Sequence, residues 1–317
     1  MTFFAAILPA AAASVAAPAP DRRVAVTIDD LPGPPRAVVG GDLAAFQAMT
    51  SKLLSALKAS GTPAIGFVNE GKLAPQGVRE DGRVALLKAW LEAGMELGNH
   101  TYSHPDLHRI PLEDFEKDLV RGEDTTKRLL SARGQTLRYF RHPFLHTGRS
   151  LEVKHGLEEF LAERGYEIAP VTHDNGEWIF AAAYADAGNA GDAATRKRVL
   201  EAYVPYMGAK FDYFERESKT LFSREIPQIL LIHANSLNAD AYPELARMMK
   251  DRGYRFIPLA EALKDPVFRD TPDTYTGAGG ISWLHRWALT RGGKTLVLPD
   301  EPAVPKFVLD AAGVDGE

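Results

Sequence analysis

Apolar positions fall along this chain in two rhythms. Short continuous apolar runs at 24–27, 64–68, 95–98, 137–140, 167–172, 228–232 and 255–257 read as strands, and the run at 228–232 is apolar enough to be buried on both faces. Stretches of helical period lie between them, at 42–60, 79–93, 112–133, 151–164 and 239–252. Asp42 stands where an N-cap belongs, and Gly61, Gly94, Gly134, Gly165 and Gly253 stand just past helix ends. Repeated strand–helix alternation predicts an α/β fold with a parallel sheet. Seven strands suggest a closed or nearly closed barrel, although periodicity does not decide closure. Two segments break the rhythm. Residues 179–227 are far longer than an ordinary connection and read as helical over 196–221. Residues 265–317 follow the last barrel element and carry Trp283, His285 and Trp287. The expected organisation is a barrel over 21–264, interrupted by the 179–227 insertion and followed by a C-terminal extension.

Composition narrows the chemistry. The 317 residues are 45% hydrophobic and 25% charged, an ordinary globular balance, and the formal net charge of −5 argues against a nucleic-acid binder. There are no cysteines, which excludes disulfides, thiolate zinc sites and cysteine nucleophiles. Any transition metal must be held by nitrogen and oxygen, so the nine histidines become the residues to watch. Residues 1–20 carry no charge. They hold an apolar run at 3–8, an alanine-rich run at 10–17 and a small-x-small signal at Ser14-Val15-Ala16. This pattern reads as a signal peptide without its basic start, and implies an exported, periplasmic or secreted protein. Pro9 and the shortness of the run weigh against stable membrane insertion.

Polar clusters fall where strands end, which is where α/β barrels build their sites. Thr27-Ile28-Asp29-Asp30 follows the first strand, and its adjacent carboxylates can diverge, one toward a metal and one toward a base. His100-Thr101-Tyr102-Ser103-His104-Pro105 follows the third. Histidines four apart meet on one face of a helical turn and, with a carboxylate, make a common catalytic zinc set. Arg141-His142-Pro143-Phe144 follows the fourth strand, where an arginine can clamp a carboxylate through paired hydrogen bonds. Asp174 to Trp178 follows the fifth, and Leu231-Ile232-His233 ends the sixth. Taken singly, each cluster also suits a plainer role: a turn-capping Asp pair, surface-loop histidines, a surface arginine, a satisfied core histidine.

Taken in order, the five clusters resemble the NodB-like polysaccharide deacetylases, carbohydrate esterase family four, over roughly residues 22–264. The resemblance implies a distorted (β/α)7 barrel with the long helical insertion and C-terminal extension added to it. It implies one divalent metal, zinc by default with cobalt, nickel or manganese as substitutes, held by Asp30, His100 and His104. Asp29 would be the general base on the attacking water, with Arg141 holding its carboxylate. His233 would be the general acid, with Asp174 tuning it. Trp178 and Leu231 would line the acetyl pocket, and the backbone near Phe144 would supply an oxyanion donor. Three departures stand out: Ile28 for a Phe, Glu177 for the second Asp of the fourth motif, and His142 with His146 as additional possible ligands.

The implied activity is hydrolysis of N-acetyl (or O-acetyl) groups on amino-sugar oligomers or polysaccharide such as chito-oligosaccharide or peptidoglycan. A small-molecule amide or imide hydrolase on the same barrel is the alternative, and an inactive sugar-binding protein a third reading. Residues 179–227 and the tail are expected to flank the mouth and limit substrate size. Trp283 and Trp287, four apart, share one helical face that either stacks on a sugar or packs the tail onto the barrel.

Overall fold

The computed structural model describes residues 21–316; the segment read as an export signal, 1–20, lies outside them. Seven parallel strands form the centre: β1 (Arg23–Leu31), β2 (Ala64–Val68), β3 (Glu96–Asn99), β4 (Tyr139–Phe140), β5 (Glu167–Ile168), β6 (Gln228–His233) and β7 (Arg255–Phe256). Their order is β5-β4-β3-β2-β1-β6, with β7 paired to Arg23 and Val24 at the start of β1. Beyond β5 the chain runs on to His173, which bridges in parallel to Leu230 of β6. The N–H groups of Thr172 and His173 both donate to the Ile229 carbonyl at 3.1 Å. The ring therefore closes on six strands with the seventh pinned beneath, a distorted (β/α)7 barrel as expected.

The period of two along the strands sorts side chains to the two faces. Val24, Val26 and Ile28 of β1 join the large cluster under the helices, with Phe46, Leu53 and Leu57. Ala25 faces inward with Ile65, Phe67, Tyr139 and Ile229. Continued along each strand, the inward set Ala25, Ile65-Phe67, Tyr139 and Ile229-Leu231 leads to Asp29, Asn69, Arg141 and His233 at the mouth. The same alternation that builds the core thus delivers the polar residues to one end.

Helices α1 (Leu43–Ser60), α2 (Asp81–Glu92), α3 (Leu112–Arg121), α4 (Asp124–Ser131) and α5 (Leu151–Glu163) follow the first four strands. Asp42 caps α1 by accepting from Ala45 N at 2.8 Å, a contact worth about 1 kcal/mol, and Gly61 ends it at φ 69°. The stretch 112–133, expected as one helix, is broken between α3 and α4. The loop after β3 lies on the break: a Cβ at Gly122 would stand 2.5–2.7 Å from Thr101 and Tyr102 backbone atoms. Asp118 receives the Tyr102 and Ser103 N–H groups at 2.9 Å, and buried Glu70 caps α4 through Thr125 N (2.9 Å) and Thr126 N (2.6 Å).

The segment after β5 forms α6 (Glu177–Asn189) and α7 (Ala193–Phe222), and α8 (Ser236–Asp251) follows β6. Beyond β7 come the one-turn helices α9 (Leu259–Ala262) and α10 (Val267–Asp270), then α11 (Trp283–Gly292) and α12 (Lys306–Ala312). Tyr213, Phe214 and Leu221 of α7 form a second core with Trp283, Leu284 and Trp287 of α11, against Leu145, Val171 and Leu231 of the barrel. Trp283 and Trp287 are 8% and 3% exposed, so the indoles pack the tail onto the barrel and offer no stacking face. No helix among the described residues is long and apolar enough to cross a membrane.

Candidate metal centre at the barrel mouth

β1 carries Asp29 and Asp30 over its last turn of pleat, and the loop after β3 carries His100 and His104. Donor atoms of Asp30, His100 and His104 all lie within 4.8 Å of one another. His100 Nε2 is 3.9 Å and His104 Nε2 3.7 Å from Asp30 Oδ1. The Arg141 carbonyl, 2.8 Å from His100 Nδ1, can only accept, so that nitrogen carries the hydrogen and the Nε2 lone pair faces the two carboxylates, 3.7 Å from Asp29 Oδ2 and 3.9 Å from Asp30 Oδ1. Burial lowers the pKa of both histidines, that of His104 to about 4, which leaves neutral imidazoles suited to a divalent ion. The residues present therefore fit a metal.

The backbone is strained where it presents these groups. Asp30 (φ 73°), Thr101 (φ 69°), His104 (φ 60°), Phe144 (φ 55°) and Leu145 (φ 54°) are five of the seven non-glycine residues in the left-handed region among those described. Each costs of order 1–3 kcal/mol, and such strain concentrates at functional sites. His104 is further held by its N–H to Thr101 Oγ1 at 3.1 Å, and the His100 carbonyl accepts from the Asn69 side chain.

Register pairs Asp29 of β1 with His233 of β6. Burial pushes the Asp29 carboxyl up to about 6, against the opposing pull of Arg141 and His233. For His233 burial acts downward, but the hydrogen bond and charge of Glu177, then Asp30 and Asp29, outweigh it and raise the imidazole to about 9. Glu177 Oε2 is 2.7 Å from His233 Nδ1, while its Oε1 accepts from Asn235 (2.5 Å) and Asn238 (2.8 Å). The carboxylate on His233 is thus Glu177, from the first turn of α6, in the place expected for Asp174. Asp174 instead accepts from the Asn175 N–H at 2.9 Å and acts electrostatically on Arg141 and Arg286.

Arg141 departs from expectation too. It reaches Asp29 Oδ2 through Nη1 at 3.7 Å, an ion pair without the paired hydrogen bonds of a clamp, because its Nη2 donates to Thr27 Oγ1 at 2.8 Å. Lys72, which carries no motif, was missed by sequence reasoning. Its Nζ stands 2.7 Å from Asp30 Oδ1 and 2.8 Å from Asn69 Oδ1. Burial would raise the Asp30 pKa, but Lys72, then His104, His233 and His100, hold it well below the usual carboxylate range.

Around this centre, Phe144 is 53% exposed with its ring 4.4 Å from that of His104, and Trp178 is 45% exposed one residue past Glu177. Leu231, two residues before His233, is buried in the second core. His142, raised by sequence as an additional ligand, is buried against Phe140 and Trp283. The tail fixes the loop after β4. Buried Arg286 donates to the Leu145 carbonyl, to Thr147 Oγ1 (2.7 Å) and to the Ile281 carbonyl (3.1 Å), and lies over the Trp283 ring. Gly280 passes so close that a Cβ there would stand 1.7 Å from the Phe144 carbonyl oxygen.

A closed parallel barrel with an aspartate, two histidines and an Asp–His pair at its strand ends has the layout of a barrel hydrolase. Residues 16–158 match the polysaccharide deacetylase family model, the family that the motifs resemble. A curated relative, an uncharacterized 30.6 kDa protein in the fumA 3' region of Geobacillus stearothermophilus, is 26% identical over 232 residues, 71% of this chain and 69% of its own. Among solved structures, the family 4 carbohydrate esterase from Streptomyces lividans in complex with acetate is 22% identical over 75% of this chain and 93% of that one, at a TM-score of 0.46. Peptidoglycan deacetylase PdaC from Bacillus subtilis is 20% identical over 77% and 92%, at 0.47. BA3943 from Bacillus anthracis, described as a CE4 family pseudoenzyme, is 18% identical over 76% and 65%, at 0.49. Overlaps this partial fix neither fold nor activity; the fold rests on the strand order.

Proposed function

We propose that this chain is a metal-dependent hydrolase that removes N-acetyl (or O-acetyl) groups from amino-sugar oligomers or polysaccharide of the chito-oligosaccharide or peptidoglycan kind. One observation carries the reading: Asp29 and His233, register partners beside the Asp30–His100–His104 set, are tuned in the senses a base and an acid need. With Asp29 near 6 and His233 near 9, neutral pH leaves the carboxylate free to take a proton and the imidazolium ready to give one. A bound divalent ion, zinc by default, would activate water and polarise the acetyl carbonyl. Asp29 takes the proton of the attacking water, with Arg141 beside it as a fixed positive charge. His233 protonates the departing amine, a poor leaving group otherwise, and Glu177 keeps its imidazole charged and oriented. Leu231 lines the floor for the acetyl methyl, while Phe144 and Trp178 form the apolar rim. The uncharged 1–20 segment, read as an export signal, is the support for a reaction outside the cytoplasm.

The test is acetate release from acetylated chito-oligomers by the metal-loaded full chain, with metal content measured on the same sample. Acetate release that disappears with chelation and returns with Zn2+ supports the reading. Turnover of small cyclic amides without acetate release moves it to a small-molecule amide or imide hydrolase. Metal-free sugar binding without turnover moves it to a sugar-binding protein.

A further inference from the structure

A second group of the same composition stands on the outer side of Phe144. Asp106 and His108 lie on the loop that carries His104, and His146 on the loop that carries Phe144. One donor atom from each falls within 4.8 Å of the others. The Phe144 ring separates the two groups, 4.4 Å from the His104 ring and 5.7 Å from the His146 ring.

Three features of this outer group point to a cation. The His108 and His146 rings lie almost parallel, 7° apart and with centroids at 3.8 Å, and a nitrogen of each lies within 4.8 Å of the other and of an Asp106 oxygen. His146 Nδ1 and Asp106 Oδ1 are 2.6 Å apart, a line along which a metal ion can replace the shared hydrogen. Both ring nitrogens of His108 are buried without a well-formed hydrogen bond, and burial, with the neighbouring His146, lowers its pKa to about 4 against the opposing pull of Asp106 and the Ala278 backbone. Buried polar atoms left in this condition ask for a partner. A zinc ion with bonds of about 2.0–2.2 Å holds its ligand atoms a little over 3 Å apart, so a small tilt of the two rings brings the set into range. The donors are two imidazoles and a carboxylate, with no thiolate, which suits zinc, cobalt or nickel over calcium or magnesium.

We propose that Asp106, His108 and His146 form a second divalent transition-metal site, which ties the loop after β3 to the loop after β4 at the rim of the first. It stands apart from the assignment of Asp30, His100 and His104, because none of its ligands is shared. Its occupant would clamp the two walls between which Phe144 is held.

The experiment is metal counting on the full chain, stripped with chelator, dialysed against Zn2+ and measured by elemental analysis, with Co2+ absorption as the optical check. The native chain is expected to retain two equivalents, and His146→Ala and His108→Ala one each. His146→Gln, which keeps a polar side chain of similar reach, should lose the same equivalent with an unchanged circular dichroism spectrum, separating loss of a ligand from loss of fold. His104→Ala should retain one equivalent, and the pair His104→Ala with His146→Ala none. A native chain that retains one equivalent, lost in His104→Ala and kept in His146→Gln, overturns the outer site. Two equivalents kept in His104→Ala, with one lost in His146→Gln, supports the outer site and overturns the inner assignment instead.

Discussion

The inner and outer groups share a donor set and a pair of loops, yet the chain treats them differently. Around Asp30, His100 and His104 the backbone is forced into the left-handed region at three successive presentation points, and the His100 tautomer is fixed by a carbonyl. In the outer group Asp106, His108 and His146 stay outside the left-handed region, with only Leu145 beside His146 inside it, and the two histidines hold each other by stacking. The inner group also borders a carboxyl and an imidazole shifted in useful directions, whereas the outer one borders a solvent-facing rim. An aspartate with two histidines is therefore not enough to mark a reactive centre; fixed geometry and an adjacent proton donor and acceptor make the difference.

Substitutions can break that contrast, and the largest effect is expected at the inner ligands. His104→Ala should lose the inner metal and all measurable acetate release, whereas His146→Ala should keep the inner equivalent; elemental analysis beside an acetate assay reads both. Next comes Asp29→Asn, which would remove the proposed base and keep the proposed ligands. Turnover should fall by about 10²–10⁴-fold at full inner occupancy, and a variant that loses metal in proportion to activity would make Asp29 a ligand. Glu177→Gln should act through His233. Glu177 raises the imidazole, so removing its charge lowers the pH at which His233 deprotonates, and activity should be lost on the alkaline side at lower pH than in the native chain. A pH profile with an unmoved alkaline limb would take His233 out of the acid role. The smallest effect belongs to Gly122→Ala, which presses the loop after β3 off the α3–α4 break. About 1–3 kcal/mol of stability should go in a denaturant melt, with a drop in inner metal affinity and little change at the outer group.

Strand ends and helix stops were legible because each has a local cause: Asp42 caps, Gly61 turns left-handed, and β6 is apolar throughout. Asp30, His100 and His104 were legible because they sit in motifs at strand ends. The break between α3 and α4 was not, since the helical period runs unbroken through Gly122 and the cause lies in a loop some twenty residues earlier. Closure of the barrel depends on a single bridge at His173, which no periodicity encodes. Glu177 was visible only as a departure from a motif, and its extra methylene reaches His233 from a helical turn. Lys72 had no signal at all: one lysine after a strand is ordinary until the fold sets it against Asp30.

Arg286 holds the loop after β4 from more than 130 residues further along the chain, and Gly280 lies against the Phe144 carbonyl. On a ribosome the barrel strands through β6 emerge well before these residues do. At about 5–20 residues per second the rim waits several seconds for the segment that fixes it. Until then the strand-end residues can gather without a finished wall beside them. A nascent chain arrested between β7 and α11 would therefore be a folded barrel with an open mouth, and the final step of its maturation would be the docking of its own tail.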